Sequence, residues 1–506
     1  MKIPTAQAEA VAFLSQVSGA PPTETAGAFL FAGQDDVLKL RKAIERPLAD
    51  WKTRRARRAG ALYDMAVGGP AAPGLYLGIK AVRRAPTGGL ELAEDAAPDD
   101  PAVIDWVAHL GRIPETDSAA RLAADKALDG RQLDLIADAI FDLHTRLAPP
   151  PAPVPAGASP EALRLLTLTL VRLAIEAGMP QPAVMQWATP TLARLEALVP
   201  LLDQRAAAGL ARAGHGNLHL GNIARWRYDW VLLDARAPDP AIGLPDLGWD
   251  LAPVLVELEV RATREAANRL LSRTIARTGD ITLLPLLPLL MSLRALQFSA
   301  DLLARDRDSA VAYARLAVAY LGSSPPLVVA IGGLPGVGKT TLARALAPGL
   351  GVAPGAVVLR ADDIRKRLAG LAPEVPLDPG AAADPALVAQ VQATFAAQVQ
   401  AAAAGGHAVV ADATFLDPAD RAAIRAAAAA AGVPFVGIWL DAPLPALGAR
   451  LGARPFDASD SSRETLRAAN LVSPGALDWR LVDAVSQDAA LEAVRQAIAQ
   501  AAAPPA

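Results

Sequence analysis

Residues 327–345 read Leu-Val-Val-Ala-Ile-Gly-Gly-Leu-Pro-Gly-Val-Gly-Lys-Thr-Thr-Leu-Ala-Arg-Ala. An apolar, largely β-branched run, Val328 to Ile331, leads into Gly333-Leu334-Pro335-Gly336-Val337-Gly338-Lys339-Thr340, and a helix-like run, Leu342 to Leu350, follows. The order strand, GxxxxGK[ST], helix is the context in which this short pattern marks a phosphate-binding loop. Glycine lets backbone N–H groups curl around phosphate oxygens with no Cβ in the way, and the helix N-terminus adds partial positive charge. Gly333, Gly336, Val337 and Gly338 are therefore expected to cradle a nucleotide together with Thr341. Lys339 is expected to reach the β- and γ-phosphates, and Thr340 to ligate Mg²⁺.

Outward from the loop, strand-like and helix-like runs alternate. Val357–Leu359, Ala408–Ala411 and Phe435–Leu440 are short β runs separated by alanine-rich helices. That alternation predicts a parallel sheet covered on both faces. An acid at the carboxyl end of a parallel strand faces the ligand crevice. Asp362 stands at such a point and suits a base that accepts the proton of an attacking hydroxyl; Asp362 or Asp363 also suits a helix N-cap. Asp412 ends the third run, where an acid contacts Mg²⁺. Ala413 follows it, and a residue without a carboxylate there favours transfer to an acceptor over hydrolysis. Arg450 and Arg454 are four apart and can share a helix face, from which guanidinium groups would stabilise charge on a transferring phosphoryl group.

The segments GLPGVGKTT (333–341), RADDIRKRLAG (360–370), VVADATF (409–415) and Arg450–Asp460 resemble AAA_33-type P-loop kinases, a group that includes zeta-toxin-like and polynucleotide-kinase-like proteins. The resemblance implies a three-layer α/β/α domain and ATP-dependent phosphoryl transfer to a hydroxyl, on a small molecule or a polynucleotide end.

A second constellation lies upstream: His215-Gly216-Asn217-Leu218-His219-Leu220-Gly221-Asn222, then Val231-Leu232-Leu233-Asp234. It resembles the HGDxHxxN…D pattern of aminoglycoside phosphotransferase-like kinases, which implies a small β-rich lobe over a helical lobe with ATP between them. Lys39 sits where that family's phosphate-binding lysine belongs, Asp64 is the nearest acid to pair with it, and Asp250 would buttress the loop. Asn222 and Asp234 match the metal ligands. Asn217 replaces the catalytic aspartate, and an amide cannot take up a proton as a carboxylate does; general-base help is worth about 10²–10⁴-fold. Three outcomes are open: a domain that binds nucleotide and Mg²⁺ without transfer, a decayed fold that binds neither, and a kinase whose base is dispensable.

Pro149 to Pro155 reads as an extended connector, and Gly322-Ser323-Ser324-Pro325-Pro326 as the principal boundary. The expected organisation is a kinase-like α+β domain over 1–322, a linker at 323–326 and an α/β P-loop domain over 327–500. In the first, Ala28–Ala32 and Val37–Leu40 read as a hairpin, and Leu75–Val82 as another strand. The 506 residues carry a net charge of −3, which gives no electrostatic footprint for nucleic acid. With no cysteine there is no disulfide or thiolate metal site. The N-terminus lacks a signal-peptide pattern, and the apolar stretch Leu283–Leu293, carrying Pro285 and Pro288, reads as too short to span a bilayer. A cytoplasmic protein without a membrane partner is expected; oligomeric state is not readable.

Overall fold

Val328–Gly332 is buried at every position, which is what a parallel strand covered on both faces demands. The computed structural model describes residues 3–25, 27–46, 49–94, 96–149, 152–239, 242–452 and 462–502. Pro150 and Pro151 of the expected connector lie outside them. The chain divides into two units: Met1–Leu128 with Asp142–Glu257 and Leu293–Ala317, and Asp129–Phe141 with Leu258–Ser292 and Val318–Ala506.

The first unit opens with strands β1 (Thr23–Glu24), β2 (Ala28–Ala32) and β3 (Asp36–Arg41), then a short ladder of β4 (Glu45–Arg46) and β5 (Ala49–Asp50). Strands β6 (Tyr76–Arg84), β7 (Leu90–Ala93) and β8 (Val103–Gly111) complete a six-stranded antiparallel sheet in the order β1-β2-β3-β8-β6-β7. Alternation along β3 decides its two faces. Leu38 and Leu40 enter a core with Phe29, Phe31, Val107 and helix Ala8–Ser18. Lys39 and Arg41, one residue out of phase, face the other way, toward Asp64 on helix Arg54–Gly68. The remainder of this unit is helical, interrupted by the hairpin β9 (Ile223–Trp226) and β10 (Asp229–Leu232).

The second unit is built on β11 (Val328–Gly332), β12 (Val357–Arg360), β13 (Val409–Asp412), β14 (Phe435–Asp441) and β15 (Arg480–Asp483). All pairings are parallel, in the order β12-β13-β11-β14-β15. The chain's connections leave β11 and β13 in opposite directions, so a crevice opens at the carboxyl ends of these neighbours. Edge strand β12 is capped by helix Arg264–Thr278: Ser272 Oγ accepts from Val358 N at 3.2 Å, and Asn268 Nδ2 donates to the Ala356 carbonyl at 2.8 Å. These contacts blunt an edge that would otherwise expose unpaired backbone groups. Arg269 and Arg273, four apart, pair with Asp134 and Asp138, also four apart, each at 2.6 Å.

The apolar run expected to be too short for a bilayer continues as a 20-residue helix, Leu283–Leu302, long and apolar enough to cross one by length and composition. Pro288 is accommodated inside it. Of its most apolar window, 78% is buried within the protein, the position of a core helix.

His407, at the entry to β13, is 1% exposed and shares a 3.0 Å hydrogen bond with the Gly355 carbonyl. Burial pushes its imidazole down from 6.5 to about 4. The unfolded chain therefore binds a proton below pH 6.5 that the native state takes up only near pH 4, so stability falls as pH drops through that window. The loss from this residue reaches roughly 3 kcal/mol at pH 4. Urea melts of wild type and His407→Gln between pH 7 and 4 should show a steeper acid loss in the wild type; parallel profiles would contradict this.

Candidate functional site

The loop after β11 can adopt its shape only with glycine. Gly333 (φ +136°), Gly336 (+83°) and Gly338 (+104°) occupy backbone conformations that other residues rarely reach. A Cβ on Gly333 would lie 2.5 Å from the Leu440 carbonyl oxygen, and one on Gly336 would lie 2.9 Å from that of Leu447. Gly333 N donates to the Thr414 carbonyl at 3.1 Å, fastening the loop to the end of β13. Lys339 opens helix Lys339–Leu346 and folds back, its Nζ donating to the Gly333 and Leu334 carbonyls at 3.0 and 3.1 Å.

Thr340 Oγ1 donates to Asp412 Oδ2 at 2.6 Å. Asp412 is 5% exposed, and Arg360 at the end of β12 approaches the same oxygen with Nε at 3.4 Å. Register explains the meeting, because Ile331 and Arg360 are both level with Asp412 across the sheet. A hydroxyl and a carboxylate in contact at the loop's mouth are hard oxygen donors of the kind Mg²⁺ takes from a protein when phosphates supply the remaining ligands. Asp362, in the first turn of helix Ala361–Leu368, pairs with Arg365 at 3.0 Å.

A cleft of about 870 Å³ is lined by Gly336, Gly338, Lys339, Thr340, Thr341, Asp362, Asp412 and Arg450. The volume and the glycine cradle fit a nucleoside triphosphate. Val337, expected at the nucleotide, turns its side chain into the core at 2% exposure and contributes backbone alone. Arg450 donates to the carbonyls of Val337 (3.2 Å), Ala484 (2.8 Å) and Val485 (3.0 Å), so it braces the loop from its flank. Arg454 lies outside the described residues. Sequence reasoning missed Arg360, and also Asp420, which lines the same cleft. The acid–arginine register at the strand ends is the signal that could have found Arg360.

In the first unit Lys39 Nζ bonds Asp64 Oδ2 at 3.0 Å and also contacts Asp234. Arg41 lies 3.4 Å from Asp64 and 3.3 Å from Asp234, its guanidinium over the Trp51 ring. Burial pushes the Asp234 carboxyl up, but Lys39, Arg41 and Arg236 outweigh it and hold the group below the usual carboxylate range. Asn217 Nδ2 donates to Asp234 Oδ2 at 2.8 Å, and Asn222 Nδ2 donates to the Asn217 carbonyl at 2.8 Å. Asp250 accepts from the backbone N–H of His215 (2.6 Å) and Gly216 (2.7 Å) and contacts His144 Nε2 at 3.1 Å. Lys39, Asn217, Asn222 and Asp234 thus come together in one site, with Asp64 as the lysine's partner. Both oxygens of Asp234 are held by the chain's own donors.

Residues 328–472 match the AAA_33 family model, an AAA domain, and the chain carries that domain in its C-terminal part. An uncharacterized protein of Mycobacterium tuberculosis is 28% identical over 280 residues, 53% of this chain and 55% of that protein, so the chain spans about half the length of the curated relatives it matches. Among solved structures, a gluconokinase from Sinorhizobium meliloti 1021 aligns at 20% identity over 35% of this chain and 95% of its own, with a TM-score of 0.24. A choline kinase from Cryptosporidium parvum Iowa II aligns at 8% identity over 59% of this chain and 86% of its own, with a TM-score of 0.37.

Asn217→Asp puts a second carboxylate in hydrogen-bond contact with Asp234 in place of an amide donor. Replacing a donor by a like charge in this partly exposed position should cost about 1–2 kcal/mol. Thermal melts at pH 7 in EDTA should show a lower midpoint for the variant; an unchanged or higher midpoint would contradict the arrangement.

Proposed function

We propose that the C-terminal domain is an ATP-dependent phosphotransferase that moves the γ-phosphoryl group to a hydroxyl acceptor. The observation that carries this reading is one cleft lined jointly by Lys339, Thr340, Asp412 and Asp362. Loop amides and Lys339 bind the phosphates, the lysine exchanging its carbonyl partners for phosphate oxygens. Thr340 and Asp412 would hold Mg²⁺, which would offset the charge developing on the transferring group. Arg360, 3.4 Å from the Asp412 oxygen that Thr340 contacts, braces that carboxylate. Asp362 accepts the proton of the acceptor hydroxyl as its oxygen bonds to the γ-phosphorus and the bond to ADP breaks; Arg365 orients the Asp362 carboxylate. Arg450 fixes the loop through the Val337 carbonyl.

The N-terminal unit is assigned a sensing or positioning role in the same reading, because Asn217 stands where a base is needed and donates to Asp234 rather than accepting a proton. The site of action is taken to be the cytoplasm.

The full chain, incubated with γ-labelled ATP, Mg²⁺ and a panel of hydroxyl metabolites and 5′-hydroxyl oligonucleotides, tests the assignment. Lys339→Ala should lose transfer at least a hundredfold. Asp362→Asn should lose about 10²–10⁴-fold in kcat with little change in the KM for ATP, whereas Lys39→Ala should keep most of the activity. Transfer that survives Lys339→Ala would overturn the assignment. Tight ATP binding with no acceptor-stimulated turnover, unaltered by Asp362→Asn, would make the domain a nucleotide-gated binding module instead.

A further inference from the structure

The cleft that holds the phosphate loop extends well beyond what phosphates occupy, and its far half has a different chemistry. Leu377, Val388, Val391, Phe395 and Ile424 line it. Phe395 stacks on Phe415, with ring centroids 6.0 Å apart, and Phe415 meets Trp479 edge-on at 4.9 Å, so the wall is backed by a fixed aromatic cluster. Phe415 holds φ +50°, a conformation a bulky residue keeps only where packing enforces it.

Charge in this half is sparse and of one sign. The described residues lining the whole cleft include three cations. Lys339 and Arg450 belong to the phosphate end, and Arg365 is committed to Asp362. Asp420 lines the acceptor half and makes no ion pair within 4 Å among the described residues. Burial first, and Asp417 second, push its carboxyl up, while a hydrogen bond from Gln392 and the charge of Arg421 pull the other way. Arg421 itself is occupied by the carbonyls of Phe415, Leu416, Pro474 and Ala476.

We infer that the acceptor is a small alcohol with an apolar body and no phosphate or other anionic group, seated against the Val391–Phe395 wall with Asp420 accepting a hydrogen bond from one of its polar groups. This rests on the phosphotransferase reading above and sharpens it. A polynucleotide end needs cations along its backbone, and a sugar phosphate needs at least one. The described residues of this half offer an apolar wall, which gives an anion no partner, and a carboxylate in no ion pair within 4 Å, which repels both. An apolar wall with few convergent polar groups is the general form of a site for a compact organic ligand.

The test uses 2-(1-naphthyl)ethanol, a fluorescent uncharged alcohol, with the full chain loaded with ATP and Mg²⁺. Fluorescence titration should show saturable binding. Leu377→Asp and Val388→Asp, at half-buried wall positions, should each weaken it more than tenfold while leaving ATP affinity within twofold. A 5′-hydroxyl oligonucleotide should neither displace the probe nor accept phosphate. No saturable binding up to the probe's solubility limit, or oligonucleotide phosphorylation undiminished by Leu377→Asp, would overturn the inference, and the second result would leave the phosphotransferase reading standing. Binding that responds to both wall variants, with no phosphate reaching this or any other alcohol, would support the pocket's chemistry and sink the transfer reading.

Discussion

The 2.6 Å hydrogen bond from Thr340 to Asp412 joins the first turn of the loop helix to the end of β13. Everything the C-terminal site does depends on those two elements staying level. The glycine conformations shape the loop, the Gly333–Thr414 bond anchors its start, and Arg360 closes the assembly from the far side of Asp412. Thr340 donates to Asp412 and the Arg360 guanidinium lies 3.4 Å from the same oxygen, so the carboxylate is held in place at the end of the sheet.

The two nucleotide-type constellations surround their lysines with different groups. Around Lys339 the ammonium group donates to the Gly333 and Leu334 carbonyl oxygens. Around Lys39 the lysine lies between Asp64 and Asp234, Arg41 reaches both acids, and Asn217 occupies the second oxygen of Asp234. A phosphate entering there must compete with formal ion pairs. That competition is a physical argument for the proposal that the chemistry belongs to the C-terminal loop.

Much of this was legible in the sequence where local rules govern. GxxxxGKT fixes its own backbone, and continuous apolar runs between helices located β11 through β14 to within a residue or two at each end. The expected Lys39–Asp64 pairing is present at 3.0 Å. Signals failed where a residue's role depends on what another segment brings. Strand β15, Arg-Leu-Val-Asp, buries Val482 but leaves Leu481 64% exposed, a pattern with no strand signature. Arg450 reads as a phosphate-facing cation, but the carbonyls of Ala484 and Val485 reach it from 34 and 35 residues away. Helix Leu283–Leu302 outran its apolar core because Ser292, Arg294 and Ser299 are buried with it. Asp420, on helix Pro418–Ala430, carries no motif of its own; only the fold puts it in the cleft.

Which loop takes the nucleotide is the claim on which the account turns, and hydrogen exchange of the intact chain with and without ATP and Mg²⁺ measures it directly. Slowed exchange of the amides of residues 333–341 and 409–414 is expected, with residues 36–41 and 215–235 changing little. Protection confined to the latter segments, with the loop around Lys339 unaffected, would contradict it.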